Sequence, residues 1–105
     1  MVYSLTFIFA KKGLMKYISH LDLMRLFMRA LRRAEVPVKI TEGFHPHPKL
    51  SIARALKLGV ESDKETAIVS LREFIKPDEF KKRLQSQLPE GIIIQEVGVT
   101  CQKKS

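Results

Sequence analysis

The 105-residue chain contains a single cysteine, no tryptophan and no long apolar run. Cys101 has no partner within the chain, so disulfide bonds cannot stabilise the fold, and a reducing cytosol suits such a composition. The longest apolar stretch, residues 5–10, ends at two lysines and is far shorter than the roughly 20 residues that a membrane helix needs. No small-residue cleavage site follows it. We therefore expect a cytoplasmic protein without a membrane span or a signal peptide.

Acidic residues are scarce in the first half of the chain. Residues 1–57 hold 11 Lys or Arg against 3 Asp or Glu, whereas residues 58–105 hold 8 of each, so the net charge of +8 belongs to the first half. A positive surface on one side is the electrostatic footprint of a polyanion-binding protein. A cationic surface that only keeps the protein soluble is the alternative that the composition leaves open.

The composition is otherwise that of a globular protein, with 45% hydrophobic and 29% charged residues. A chain of this length can bury one hydrophobic core, and no repeat, low-complexity tract or linker interrupts the sequence. We expect residues 1–101 to form a single domain and residues 102–105 to form a flexible basic tail.

Alternation of apolar and polar residues predicts three strands, over residues 3–10, 65–74 and 92–99. Residues 38–41 are a shorter candidate, and residues 50–60 favour a strand pair or one bulged strand. If the short candidate merges with its neighbour, the chain contains four strands.

Helical periodicity predicts two helices. The first spans residues 19–34, with Ser19 as its N-cap and Asp22 in its first turn. A turn at residues 61–64 leads into the long third strand, and the second helix begins after it at Pro77. The order βαββαβ predicts an α+β fold of the ferredoxin-like, split-βαβ type, in which two helices cover one face of an antiparallel sheet.

The first helix separates apolar from basic residues when its positions are placed at about 100° per residue. One arc carries the side chains expected to face the core: Leu21, Met24, Phe27, Met28 and Leu31. The opposite arc, here the arginine face, carries four arginines: Arg25, Arg29, Arg32 and Arg33. Because a guanidinium can donate two parallel hydrogen bonds to phosphate, this face is a candidate phosphate-binding surface. An ordinary solvated face of an amphipathic helix is the alternative.

Residues 43–49, with the sequence GFHPHPK, form a loop that its prolines hold stiff. Pro46 and Pro48 each push the preceding residue into an extended conformation, so His45 and His47 are extended at low entropic cost. Residues two apart in an extended chain face the same side, which would present the two imidazoles together.

Three interpretations of this histidine loop stay open. A metal site could combine its two histidines with His20, which lies on the apolar arc at the start of the first helix. A nucleic-acid contact could stack bases on Phe44 and the histidines and bind phosphate at Lys49. The third interpretation is a structural turn, with His20 as a hydrogen-bonded structural histidine.

Three motifs resemble one known family: SHLD at residues 19–22, GFHPHPKLS at residues 43–51 and LGVES at residues 58–62. The family is a radical-SAM-linked group of uncharacterised proteins, found as a C-terminal domain of cobalamin-binding-type radical SAM enzymes or encoded beside them. The resemblance extends over residues 3–99. It implies a bacterial cytoplasmic protein associated with RNA metabolism and with a partner radical SAM enzyme.

The chain departs from this family at two positions. Many relatives carry Asn, a poor ligand for transition metals, at the position of His45. This leaves His20 and His47 as the histidines that match the motifs. Relatives also tend to carry an acid where this chain has Lys76, so the second helix should lack a strong N-cap. Because one cysteine cannot hold an iron–sulfur cluster, we expect neither a metal nor a cofactor in this chain.

The sequence thus favours a small basic module that engages RNA. The resemblance implies that it presents substrate to a partner radical SAM enzyme, and an accessory role is favoured over activity of the module on its own. The expected binding residues are Arg25, Arg29, Arg32, Arg33, Phe44, His45, His47 and Lys49. We expect His20 and His47 to meet beside the basic helix. The alternatives are an RNA-cleaving enzyme with one of these histidines as general base, and an accessory domain that docks another protein on its open sheet face. The sequence predicts no oligomeric state.

Overall fold

The computed structural model describes residues 2–54 and 57–102. Within these residues the chain forms four strands, two α-helices and one short 3-10 helix. In chain order they are β1 (Val2–Lys11), the 3-10 helix (Gly13–Tyr17), α1 (His20–Arg33), β2 (Leu50–Ile52), β3 (Ser62–Leu71), α2 (Pro77–Gln85) and β4 (Ile92–Gln102).

The strands form one sheet in the order β2-β3-β1-β4, and every neighbouring pair is antiparallel. Each helix joins two strands that are separated in the sheet by a third strand, which is the split-βαβ arrangement. The expected α+β, ferredoxin-like fold is therefore confirmed. Neither helix in the described part of the chain is long and apolar enough to cross a membrane.

Aromatic side chains of β1 hold both helices on one face of the sheet. The Phe7 ring lies 5.5 Å from the Phe27 ring of α1 and 5.6 Å from the Phe80 ring of α2, centroid to centroid. Phe9 contacts Phe27 as well, at 4.9 Å. These rings are fully buried. Since residues 7 and 9 of a strand share a face, both helices must lie on that side of β1.

The opposite face of the sheet, here the open face, is covered by no element of the described residues. Thr6 lies there opposite Ile68, and Ile8 lies opposite Thr66, so hydroxyl and β-branched side chains dominate its centre. The described side chains of this face include no aromatic residue.

The core face of α1 differs from the sequence-based arc. Leu21 is 57% exposed, whereas Leu23, which lay outside the predicted arc, is buried. The buried residues follow the spacing i, i+4, i+7 and i+8: Leu23, Phe27, Ala30 and Leu31. The helix is therefore rotated about its axis relative to the prediction, so that Leu23 and Ala30 face the core and Leu21 does not.

Several predicted boundaries are wrong. Residues 38–41 form no independent strand, although Val38 makes an isolated bridge to Leu71. The predicted turn at residues 61–64 is mostly strand, because Ser62 at the start of β3 pairs with Lys11 of β1.

In residues 50–60 the structure has a strand only at Leu50–Ile52, and residues 55–56 lie outside the described residues. β3 ends at Leu71 rather than at residue 74, and β4 extends to Gln102. The remaining residues of the predicted tail, 103–105, also lie outside the described residues. Lys76 makes no side-chain capping bond at the start of α2, as expected.

Gly91, just before β4, is a position where a side chain cannot fit. Its φ is +101°, and an added Cβ would lie 2.6 Å from the Lys12 carbonyl oxygen and 2.9 Å from the Met15 Cγ. We predict that Gly91→Ala lowers the free energy of unfolding by more than about 1 kcal/mol, because both the backbone and its neighbours must shift. Urea denaturation measures the loss.

Gly98 in β4 provides the matched control. An added Cβ there meets nothing within 4 Å, and its backbone needs no positive φ. Gly98→Ala should change the free energy of unfolding by less than about 0.5 kcal/mol. Equal losses in the two variants would contradict the assignment of steric strain to Gly91.

Candidate nucleic-acid interface

α1 presents its arginines to solvent on the side opposite its buried residues. The helix begins after Ser19, whose side-chain oxygen accepts a hydrogen bond from the Asp22 N–H at 3.1 Å. Asp22 also forms an exposed ion pair with Arg25, with 3.6 Å between Oδ1 and Nη1. All four members of the arginine face are exposed: Arg25, Arg29, Arg32 and Arg33. The helix therefore displays the positive surface that its sequence indicates.

The histidine loop is the tip of a β-hairpin, here called the histidine hairpin and comprising residues 39–49. Its two arms are joined where the Thr41 N–H donates to the His47 carbonyl at 2.8 Å. The His47 N–H donates in return to the Thr41 hydroxyl at 3.2 Å. A further bond, from the Lys49 N–H to the Lys39 carbonyl at 2.8 Å, closes the base. These bonds act together with the prolines to stiffen the hairpin.

The tip of the hairpin projects its side chains into solvent. Phe44 is 99% exposed, and both His45 and His47 are exposed as well. Gly43 precedes the aromatic residue with a φ of +139°, a conformation that other residues rarely adopt. The Nδ1 of His47 lies 3.0 Å from the Pro48 carbonyl oxygen, so one ring nitrogen is held by the hairpin itself.

The base of the histidine hairpin is attached to the edge of the sheet through Ser70 of β3. The Lys39 N–H donates to the Ser70 carbonyl at 2.8 Å, and the Ser70 N–H donates to the Lys49 carbonyl at 3.0 Å. Because the chain leaving α1 leads directly into the hairpin, this attachment brings the hairpin beside the C-terminal end of the helix.

A cleft of about 560 Å³ lies between the end of α1 and the hairpin, and we call it the basic cleft. Its cationic side chains are Arg32, Lys39 and Arg72, and its one acid is Glu35. Among the ion pairs of residues 2–54 and 57–102, none involves these three cations. The rest of the lining is apolar: Val36, Val38, Ile40 and Pro48. The cleft therefore gathers positive charge that has no internal partner in the described residues.

Glu35 on this cleft adopts a left-handed backbone conformation, with a φ of +56°. Its N–H donates to the Arg32 carbonyl at 3.1 Å, and the Val36 N–H donates to the Leu31 carbonyl at 3.2 Å, which is the pattern of a Schellman helix end. Glycine usually occupies this position, and another residue costs about 1–2 kcal/mol there. Because helices commonly end in this way, the helix end itself accounts for the left-handed conformation of Glu35.

The structure brings together only part of the predicted binding set. Arg32 from the arginine face lines the basic cleft, and the hairpin that carries Phe44 and His47 begins at its edge. Lys39 and Arg72 were missed by sequence analysis. Both lie within predicted strand segments, residues 38–41 and 65–74, but the sequence does not indicate that these two segments meet at one end of the sheet.

The expected meeting of His20 and His47 is wrong. His20 begins α1, close to the end of the sheet where Lys11 pairs with Ser62, whereas the hairpin joins the sheet at Ser70. The 14 residues of α1 alone separate the two ends by about 20 Å. The two histidines therefore cannot share a substrate atom or a metal ion.

His20 is only partly exposed at the start of α1, and within the described residues no hydrogen bond of the kind expected for a structural histidine is formed at its Nδ1. Its Nδ1 is buried and has no hydrogen-bond partner among the described atoms. The proposed three-histidine metal site is not formed, and the described residues contain no cluster of three or more His, Cys, Asp or Glu side chains that could hold a metal.

Sequence analysis also missed an ionic cluster at the His20 end of the sheet, in which Glu65 and Lys11 are buried and Arg54 is exposed. Arg54 binds Glu65 through two bonds, Nε to Oε1 at 2.9 Å and Nη2 to Oε2 at 2.8 Å, and the Ser62 hydroxyl donates to the same carboxylate. Lys11 is buried beside it. The sequence contains a signal for this cluster. Lys11 has the same strand parity as Phe7 and Phe9, which face the core, so a buried lysine could have been predicted there.

The Arg54 guanidinium and the Ser62 hydroxyl lower the pKa of Glu65, against the opposing effect of burial, and the Lys11 charge adds to the lowering. The same bonds raise the pKa of Arg54. Both carboxylate oxygens of Glu65 are engaged, so this carboxylate is a structural anion rather than an available general base.

We predict that Glu65→Gln lowers the free energy of unfolding at neutral pH by about 1–3 kcal/mol, the usual cost of losing charged hydrogen bonds. Because the pKa of Glu65 is lower in the folded state, its stabilisation is complete above the ordinary value of 4.5 and disappears as the pH falls through the folded value. Urea denaturation at several acidic pH values should show this slope in the parent and not in the variant.

Glu79→Gln is the matched control for this prediction. Glu79 pairs with Arg83 at 3.0 Å, but the pair is exposed on α2, so its loss should cost less than about 0.5 kcal/mol. If both variants lose the same stability, or if Glu65→Gln keeps the acid slope of the parent, the cluster does not stabilise the fold as argued.

Comparison with known proteins gives one family. The profile of a bacterial family described as "Uncharacterized protein conserved in bacteria (DUF2344)" matches residues 5–105. No curated protein and no solved structure matches the chain. The match contains no link to radical SAM enzymes, so that part of the resemblance stays a prediction. Because the profile extends over nearly the entire chain, the protein belongs to this uncharacterised bacterial family.

Proposed function

We propose that the protein is a small RNA-binding module of the bacterial cytoplasm, with the basic cleft and the histidine hairpin as its binding surface. The observation that carries the proposal is the convergence of Arg32, Lys39 and Arg72 in one cleft, without ion pairs among the described residues, beside a stiff hairpin with an exposed Phe44.

The unpaired cations of the cleft support a polyanionic ligand. Three positive side chains in one cleft repel each other, and Glu35 offsets only one of them. Phosphate groups would relieve this repulsion, and the guanidiniums of Arg32 and Arg72 suit them because each can bind two oxygens. The other members of the arginine face would extend the positive surface along α1.

Phe44 supports RNA with unpaired bases over duplex RNA. A fully exposed phenyl ring is unfavourable in water, and a stacked base would cover it at a gain of about 1–3 kcal/mol. Bases in a duplex are already stacked, so only a single strand or a loop offers a free ring face. The open face lacks aromatic side chains among the described residues, which makes the hairpin the better stacking platform.

The module would act beside a larger enzyme. By the resemblance of residues 19–22, 43–51 and 58–62 to the radical-SAM-linked family, we propose a radical SAM enzyme as the partner to which RNA is presented. Size-exclusion chromatography of the two purified proteins tests this part separately. A cleavage site that combines both histidines is not favoured, because His20 and His47 lie at opposite ends of the fold. RNA cleavage with one of them as general base stays the alternative to this proposal.

We predict that Arg32→Ala, Lys39→Ala and Arg72→Ala each weaken binding to a labelled single-stranded RNA. Each lost phosphate contact should also reduce the slope of log K against log salt concentration by about 0.7, because fewer counterions are released. Fluorescence anisotropy at several NaCl concentrations measures both quantities.

Lys82→Ala is the control of equal charge. Lys82 is exposed on α2 and does not line the basic cleft, so its loss should leave the salt slope unchanged. Absence of binding by the parent protein at low salt would refute the RNA proposal. Equal weakening by Lys82→Ala would show that only net charge matters and that the cleft is no site.

A second prediction concerns the stacking residue. Phe44→Ala should weaken binding of the single-stranded RNA roughly tenfold, the equivalent of one lost stacked base, and should leave the salt slope unchanged. Binding of a duplex RNA should not change. Ile93→Ala, which removes a half-exposed apolar side chain of β4, should have no effect on either ligand; an equal effect of both variants would contradict stacking at the hairpin.

A further inference from the structure

Large apolar side chains are exposed at the end of the sheet opposite the basic cleft. Leu14 is 83% exposed and Leu58 is 64% exposed. Three neighbours are each more than half exposed: Tyr17, Leu21 and Val60. We call these five residues the end patch. Grouped exposure of this kind marks interaction sites, whereas single exposed apolar residues are ordinary.

Backbone contacts bring four of the five members of the end patch together. Leu14 and Tyr17 are three residues apart in a 3-10 helix, so their side chains lie on the same side of it. The Gly59 N–H donates to the Lys16 carbonyl at 2.6 Å, and a Cβ at Gly59 would lie 3.9 Å from the Tyr17 ring. Leu58 and Val60, which flank Gly59, are thereby placed beside Tyr17.

The patch is rigid before any partner arrives. The buried Lys11 ammonium donates to the carbonyl oxygens of Lys57 at 3.1 Å and Lys16 at 3.4 Å, so it ties the two segments together. The Gly13 N–H donates to the Glu61 carboxylate at 2.7 Å. Binding of a partner would therefore cost little conformational entropy at this surface.

The charges around the end patch are positive and available. The Lys16 ammonium lies 5.2 Å from the centre of the Tyr17 ring, and Lys57 is exposed. Of the acids that follow Val60, Asp63 forms an ion pair with Lys12. Glu61 accepts a hydrogen bond from the Gly13 N–H and keeps its charge, so Lys16, Lys57 and Glu61 together leave a net positive charge beside the patch. Within the described residues, Lys16 and Lys57 have no ion-pair partner.

We propose that the end patch docks an acidic amphipathic segment of another protein. Its apolar side chains would cover Leu14, Tyr17 and Leu58, and its carboxylates would pair with Lys16 and Lys57. A second copy of this chain fits less well, because a two-fold contact would bring Lys16 and Lys57 of both copies into one interface, with Glu61 as the one unpaired carboxylate beside Val60 among the described residues of each copy. The site is independent of the basic cleft, and both surfaces can be occupied together.

Two synthetic helical peptides of about 18 residues test the proposal, with Leu at i, i+3, i+4 and i+7 in both. One carries Glu at the remaining positions, and the other carries Lys. In ¹⁵N–¹H NMR titrations of the full chain, the Glu peptide should shift the amides of Leu14, Tyr17 and Gly59, and the Lys peptide should not. Absence of shifts at these amides with the Glu peptide would overturn the proposal.

Variants separate the apolar from the charged contribution. The double variant Leu14→Ser/Leu58→Ser should weaken the Glu peptide roughly tenfold or more, since both leucines are already exposed and their loss does not disturb the core. Phe74→Ser, a half-exposed aromatic at the other end of the sheet, is the matched control and should bind as the parent does. Lys16→Glu/Lys57→Glu should reverse the preference toward the Lys peptide, whereas Lys82→Glu should not.

Other occupants give different results in the same set of variants. A dimer detected by light scattering and lost in Leu14→Ser/Leu58→Ser would replace the proposal with self-association. Binding to phosphatidylglycerol vesicles that the same variant abolishes would replace it with a membrane surface. Equal binding of both peptides would show that the patch lacks the proposed charge selectivity. RNA binding should be unchanged in Leu14→Ser/Leu58→Ser, which keeps the net charge, so failure of the docking proposal leaves the RNA proposal untouched.

Discussion

The packing of Phe7 against one ring from each helix is the contact on which the rest of the arrangement depends. Phe27 and Phe80 lie 5.5 and 5.6 Å from it, so α1 and α2 are held on the same face of β1. The sheet order agrees with this arrangement, because each helix connects two strands that lie on either side of a third. Because both helices cover the apolar face of the sheet, charged and exposed apolar side chains lie at the two ends of the sheet and on its open face.

The two ends differ in chemistry because the chain reverses at them in different ways. At the end of α1 the chain enters the histidine hairpin, and Arg32, Lys39 and Arg72 meet around an apolar floor. At the other end the chain turns through a 3-10 helix, and Lys11 joins that turn to residues 57–59 by hydrogen bonds to carbonyl oxygens. One end thus gathers cations, and the other exposes leucines beside a buried lysine.

Local patterns in the sequence were sufficient to predict the fold but not to predict which residues meet at the candidate site. Alternation over residues 3–10 and 92–99 and the cap at Ser19 locate β1, β4 and α1 well, because each is a short-range property of the chain. Which elements meet at which end depends on strand pairing over long sequence separations. The expected pair of His20 and His47 failed for that reason, and Arg72 was missed for the same one.

The helix that supplies Arg32 also opposes phosphate binding at the cleft. The C-terminal end of a helix carries about half a negative charge, which favours nearby cations but repels anions. With three cations, Glu35 and this partial charge, the cleft retains roughly +1.5. A single cation would not overcome the two negative contributions, which is why the hairpin and the residue after β3 must each add one. Phosphate affinity at this end therefore depends on the tertiary fold, and α1 alone would not provide it.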